Sequence, residues 1–306
     1  MADTPPPPAP SKALVFVRRS ASTLFLWGLV TWVFVSSWTW AYLGVIGLLT
    51  LIATVEFFRM LRAADVKCFP CFGILLAVGY CGALYTAFLR GRGLLPELDV
   101  FAVGLALTGV FDLQLRQPIR GLEALQAVAF NLLGFVYIAL LFNFMSRLLF
   151  LVPEPGLARG LVGGHGAYLV LWLLAVTKFT DMGAYITGSV IGRHKMIPHV
   201  SPGKTWEGFG GALLFSQLAG CGLFAAFSDQ LSMLHSWSHV LALGFLLALL
   251  AVIGDLAESV LKRALNAKDS GRMLPGIGGA LDLIDSICFT APALYFYLLW
   301  LLPPTA

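Results

Sequence analysis

Charge is what this sequence has least of. Only 12% of its 306 residues are Asp, Glu, Lys or Arg, about half the share of a soluble domain, and the mean hydropathy is +0.85. That scarcity, with 58% hydrophobic residues, excludes a soluble globular protein and points to an integral membrane protein. The net charge is +4, and the basic residues are spread between apolar runs, not gathered in a stripe, which argues against nucleic acid as a partner. Cysteine is scarce and odd in number, at five, so no disulfide framework is indicated. Cys68 and Cys71 form a lone C-x-x-C with neither a second pair nor a nearby histidine, and ordinary apolar cysteine is the simpler reading. The stretch Ser201 to Gly208, SPGKTWEG, lacks the earlier glycine and the preceding strand of a phosphate-binding P-loop, which removes that class of NTPase.

What is present is a series of apolar runs. Residues 1 to 13, with Pro5 to Pro8 and Pro10, form a proline-rich tail that cannot pack a core and reads as disordered. The run after Arg18 and Arg19 is too long for a cleaved leader and reads as an uncleaved first span. From Thr23 to Phe58 there is room for two spans with a tight turn near Ser36 to Thr39. Further spans are expected at 70–89, 98–113, 124–150, 166–190, 208–228, 237–256 and 284–302. The fold expected is therefore all-α and polytopic, with about nine transmembrane helices.

Basic residues test that count. With a cytoplasmic N-terminus, the inner side holds Lys12, Arg18 and Arg19; Arg59, Arg62 and Lys67; Arg116 and Arg120; Arg193, Lys195 and Lys204; and Lys262, Arg263, Lys268 and Arg272. The outer side keeps Arg90, Arg92, Arg147 and Arg159. This bias predicts an N-in, C-out topology. Glu56, Asp112 and Glu123 fall near span ends, where water reaches them, and call for no special role.

The second half differs, because polar groups there recur inside or beside spans. Lys178 and Asp181 share a face of the span at 166–190, and an acid inside a span costs about 2.5–3.5 kcal/mol on insertion scales. This is either an ion pair that fixes helix register or a metal or phosphate ligand with its counter-charge. The basic loop from Gly192 to Gly208 brings Ser201, Lys204 and Thr205 to the start of the next span, where hydroxyl, ammonium and helix N–H groups can hold phosphate. It also satisfies the positive-inside rule without any ligand. His194 and His199 read as interfacial.

The densest group lies between Gly254 and Ser286. Asp255, Glu258, Ser259 and Lys262 are spaced i, i+3, i+4 and i+7 and share one helix face; Asp282 and Asp285 do the same in the next helix. Between them Gly271, Pro275, Gly276, Gly278 and Gly279 mark a turn that lets backbone approach a ligand. Carboxylates at this spacing beside lysine, arginine and glycine suggest Mg²⁺ holding a nucleotide's phosphates, and no His/Cys set favours zinc.

These residues resemble a known family. GDLAESVLKR, KDSG, the glycine-rich turn and D..DS are similar to the signature of phosphatidate cytidylyltransferases, the CDP-diacylglycerol synthases, with Ser259, Lys262, Arg263, Lys268, Asp269, Pro275, Gly278, Gly279, Asp282 and Asp285 matching in identity and spacing. TDMGAY (180–185) and SPGKTWEG (201–208) resemble two further blocks of that family. The likeness covers roughly 175–290. Ile277 stands where the family usually has histidine, and Leu283 where it has arginine.

The resemblance implies transfer of a cytidylyl group from CTP to phosphatidate, giving CDP-diacylglycerol and pyrophosphate. It implies Asp255, Asp282 and Asp285 as Mg²⁺ ligands, with Asp181 adding a contact, and Lys204, Lys262, Arg263 and Lys268 on CTP phosphates or pyrophosphate. Ser201, Thr205 and Ser259 become candidate phosphate contacts, with Asp269, Gly278 and Gly279 in the same substrate-binding set. The expected partners are CTP, phosphatidate and membrane lipids, with a homodimer left open. The expected setting is the bacterial plasma membrane, with the site toward the cytoplasm. The chain then divides into the tail at 1–13, membrane helices at 14–165 and a catalytic membrane region at 166–306, its signature at 254–286. Two other readings stand beside this one: a related cytidylyltransferase or CTP-dependent kinase for another lipid, and an ion-coupled transporter with Asp181, Asp255 and Asp282 on an ion path. The transporter would favour internal repeat symmetry, and the charge-poor first half shows none with the second.

Overall fold

The computed structural model describes residues 28–91, 96–151, 161–267, 269–271 and 278–301. The proline-rich tail, Lys268, Pro275 and Ile277 lie outside them. A helix at 28–36 (α1) is followed by α2 (Thr39–Ala63), α3 (Pro70–Leu89), α4 (Pro96–Leu115), α5 (Glu123–Leu149), α6 (Gly164–Ile191), α7 (Trp206–Ala226), α8 (Trp237–Ala264) and α9 (Ala280–Leu301). Among the described residues, α2 to α9 are the eight helices long and apolar enough to cross a membrane. Helices are the natural solution, because hydrocarbon offers no partner for backbone N–H and C=O groups. The fold is all-α and polytopic, and its boundaries follow the apolar runs. The chief difference is α8: it continues past 256 to Ala264, so Asp255, Glu258, Ser259 and Lys262 all lie on its last turns.

Helix ends have local causes. The expected turn before Thr39 is a break at Ser37, whose φ is +54°. Its carbonyl accepts the Val162 N–H at 2.8 Å, and Trp38 pairs with Leu161, so the chain entering α6 holds this turn in place. Asp65 and Asn266, at φ +55° and +53°, end α2 and α8 in the left-handed conformation that stops helices. Within α5, Phe135–Leu140 widens to a π-helical turn.

The only sheet among the described residues is a hairpin, β1 (Lys195–Ile197) with β2 (Ser201–Thr205), inserted between α6 and α7. These two helices pack along most of their length. Glycine permits it: a Cβ on Gly183 would lie 2.6 Å from the Gly211 carbonyl oxygen, and one on Gly208 would lie 2.9 Å from that of Ala184.

The main core joins both halves of the sequence, drawing on α2, the end of α5, α6, α8 and α9. A second cluster unites α3, α4 and the middle of α5. The first half also holds a buried charge pair. Arg147, only 1% exposed, donates to Asp99 at 2.5 Å, and the Tyr80 hydroxyl donates to the same carboxylate at 2.8 Å. The basic residue expected at the outer surface is therefore neutralised inside the bundle.

Candidate active site

Two short helical geometries place the acids. Asp255 and Glu258, three residues apart on α8, project from one face. Asp285 sits where α9 breaks between Ala280–Ile284 and Ile287–Leu301, its carboxylate accepting the Ser286 N–H at 2.5 Å. The break meets α8 at Gly254, where a Cβ would come within 2.8 Å of the Ser286 backbone, and Ser286 donates to the Ala251 carbonyl at 3.1 Å. Gly254 thus lets the two helices touch one residue before Asp255. As a result, one oxygen from each of Asp255, Glu258 and Asp285 lies within 4.8 Å of the others. Glu258 is 2% exposed, and its Oε1 has no hydrogen-bond partner among the described residues. Such an orphaned buried carboxylate oxygen is costly unless a cation meets it.

Lysines bound the cluster. Lys262 reaches Glu258 at 2.6 Å and Asp282 at 2.8 Å, while the other Asp282 oxygen accepts the Gly279 N–H at 2.7 Å. Lys178, on α6, lies 3.6 Å from Asp181 and donates to the Leu283 carbonyl at 2.9 Å. Lys204 pairs with Asp255 at 2.9 Å and approaches the Val252 carbonyl at 3.4 Å. Asp181, Asp255 and Asp285 are near enough for their charges to act on one another, and Lys178 acts on both Asp181 and Asp285.

Beside the acids, between α6, the hairpin, α7 and α8, is an open cavity of about 380 Å³. Asp181, Tyr185, Ser201, Lys204, Thr205 and Asp255 contribute to its wall. Asp255 therefore belongs to both the acid cluster and the cavity. The hairpin is fixed at both ends. Thr205 caps α7, accepting the Gly208 N–H at 3.1 Å, and Glu207 accepts from the His194 ring at 2.6 Å and from the Arg193 and His194 N–H groups. His194, expected at the interface, is exposed and held there by this carboxylate. Arg263 adds a contact from α8 to the Val200 carbonyl at 3.5 Å.

A model of the cytidylyltransferase family matches residues 17–301. The chain belongs to the cytidylyltransferase family. Among its relatives, the uncharacterised YnbB of Escherichia coli is 41% identical over 133 residues, covering 44% of this chain and 43% of that protein. A Bacillus subtilis protein named phosphatidate cytidylyltransferase is 30% identical over 248 residues, 81% of this chain and 84% of its own. One of the same name from Staphylococcus saprophyticus is 34% identical over 223 residues, covering 69% and 81%.

For this cytidylyltransferase, the residues singled out in the sequence fall into three groups. Asp181, Lys204, Asp255 and Asp285 converge, with Ser201 and Thr205 on the adjoining wall. Asp282 and Gly279 stand one ion pair away, joined to the cluster through Lys262. Ser259 points its hydroxyl at Asp255 from 3.5 Å, Gly278 precedes the α9 cap, and Asp269 is exposed. Two participants stand outside the expected ligand set, although the sequence places Glu258 on the Asp255 face and Lys178 beside Asp181. Glu258 shares the face of Asp255 at i+3, a signal the spacing already carried. Lys178 reaches the backbone at Leu283, a pairing across 105 residues that no local pattern encodes.

Proposed function

We propose that this protein transfers the cytidylyl group of CTP to phosphatidate, at the cytoplasmic edge of a bacterial plasma membrane. An anionic oxygen of the lipid phosphate attacks the α-phosphorus of CTP. The bond from that phosphorus to the bridging oxygen of the β-phosphate breaks, and pyrophosphate departs with the electron pair, leaving CDP-diacylglycerol. No proton has to move, so the protein's task is placement and charge.

The observation that carries this reading is the junction at Asp255, where an acid trio with Glu258 and Asp285 buried opens onto a cavity faced by Lys204. The donor set fits a hard divalent cation: carboxylates only, crowded together, with one Glu258 oxygen left unpartnered. Asp255, Glu258 and Asp285 would hold Mg²⁺, with Asp181 bordering them and Asp282 supporting through Lys262. Bound there, Mg²⁺ supplies positive charge to the triphosphate and the departing pyrophosphate. Lys204 holds a phosphate oxygen of CTP, and the Ser201 and Thr205 hydroxyls line the same wall. Lys262 keeps Glu258 and Asp282 from repelling each other, and Lys178 brings a cation to the backbone position where the family usually has arginine. Arg263 adds to the basic rim of the inner face, the resemblance assigns Lys268 and Asp269 to the same substrate-binding set, and Gly278 and Gly279 let backbone approach the substrate. Lipid tails stay among the outer helix faces while the headgroup meets CTP. The weakly buried sides of α4 and α7 leave room for a second copy.

The test is CDP-diacylglycerol formation by purified protein in detergent with phosphatidate, CTP and Mg²⁺. Label from the α-phosphate of CTP should appear in the lipid, pyrophosphate should be released, and chelation should stop both. Label passing from the γ-phosphate instead would make it a kinase, and no CDP-lipid under any condition would end the proposal.

A further inference from the structure

Glu56 belongs to the charge-poor first half, near the inner end of α2, and by sequence it needs no role. In the fold it is 4% exposed and accepts the Leu281 N–H at 3.1 Å, a contact spanning 225 residues. The Ala280 N–H faces the same carboxylate. Leu281 and Ala280 are the first residues of the α9 segment that presents Asp282 and leads into Asp285.

The carboxylate also meets the glycine-rich stretch on its other side. A Cβ on Gly271 would strike Glu56, with all three nearest atoms belonging to that side chain, and one on Gly279 would strike Glu56 and the Ser270 hydroxyl. One side chain therefore touches both described stems of the signature, 269–271 and 278–281. It does so from a helix that contributes nothing to the cavity wall.

We propose that Glu56 is a positioning residue: its carboxylate anchors the start of α9 to α2 and thereby sets where Asp282, Lys262 and Asp285 stand. This rests on the cytidylyl-transfer reading for its kinetic consequence, but not for the contact itself. Two features favour positioning over plain packing. The residue is an acid withdrawn from solvent, where leucine would fill space without desolvating a charge. Its hydrogen bond goes to a backbone N–H of the segment that presents Asp282 and leads into Asp285, and the facing positions are glycines that admit the carboxylate.

The experiment compares Glu56→Ala, Glu56→Gln and Gly271→Ala in the full chain, in detergent, by steady-state kinetics and hydrogen exchange of the 280–284 amides. Glu56→Ala should lower kcat at least tenfold while leaving KM for CTP and phosphatidate within twofold, because Glu56 touches neither cavity nor substrate. The 280–284 amides should exchange at least tenfold faster, with α6 to α8 unchanged. Glu56→Gln keeps an oxygen that accepts the Leu281 N–H and should recover most of the rate. Gly271→Ala should displace the carboxylate and reproduce Glu56→Ala, yet add nothing in the Glu56→Ala background. If Glu56→Ala does not fold, Glu56→Gln and Gly271→Ala carry the same comparison. Unchanged exchange at 280–284, or kcat within twofold of wild type, overturns the proposal even if CDP-lipid is made. Faster exchange in a protein that never makes CDP-lipid would instead preserve the anchor and remove the reaction.

Discussion

Lys262 is the residue on which the acid cluster balances. It holds Glu258 at 2.6 Å and Asp282 at 2.8 Å, and all three side chains are at most 17% exposed. Removing a cation that serves two buried carboxylates leaves both uncompensated, a loss of about 3 kcal/mol or more. Lys262→Ala should therefore lower thermal stability in detergent before any question of catalysis arises; an unchanged melting temperature would show the pairs to be worth little. Glu258→Gln separates the roles more cleanly, because it keeps the shape and removes one ligand charge. Its half-saturating Mg²⁺ concentration should rise at least tenfold, a shift of about 1.4 kcal/mol. The same change at Asp282, whose oxygens already have partners, should move that concentration far less. At this scale Asp255 and Asp285 were legible from motif spacing, and Glu258 from the same helix face. Which of the two carboxylates, Glu258 or Asp282, stands beside Asp255 was not legible, since it depends on the break in α9 and on where Lys262 reaches.

Elements were readable wherever apolar length decides them. Spans expected at 70–89, 98–113 and 166–190 became α3, α4 and α6 with shifts of two residues or fewer, because a bilayer fixes helix length. The hairpin between α6 and α7 escaped that logic, being polar and only eleven residues from Lys195 to Thr205. Its position, and hence the cavity, follows from the close crossing at Gly183 and Gly211, which a sequence shows only as scattered glycines. Gly183→Val should force that crossing apart. Its first added carbon already lies 2.6 Å from the Gly211 carbonyl oxygen, and overpacking of this kind costs about 1–3 kcal/mol. Lower thermal stability and a raised KM for CTP are expected together. Gly210→Ala is the matching control, since a Cβ there meets nothing within 4 Å. Equal behaviour of the two variants would mean that the crossing does not shape the cavity.

For the whole molecule, what remains is direction. Chain geometry puts the C-terminal end of α2, the hairpin, the end of α8 and the start of α9 on one face, where Glu56, Lys204, Lys262 and Asp282 gather. The proposal that this face meets the cytoplasm rests on charge: basic groups concentrate there, and translocating them is unfavourable. Cys71 offers a direct readout. It is exposed at the start of α3, on the same face, whereas Cys81 and Cys288 are buried. In a variant retaining Cys71 as its sole cysteine, a membrane-impermeant maleimide should label inverted vesicles and leave intact spheroplasts unlabelled. CTP added outside should then drive CDP-lipid synthesis in the inverted vesicles alone, because a triphosphate does not cross the bilayer. Labelling confined to intact cells would reverse the topology and place the acid cluster where no CTP is available. That result would defeat the proposed reaction more decisively than any single substitution.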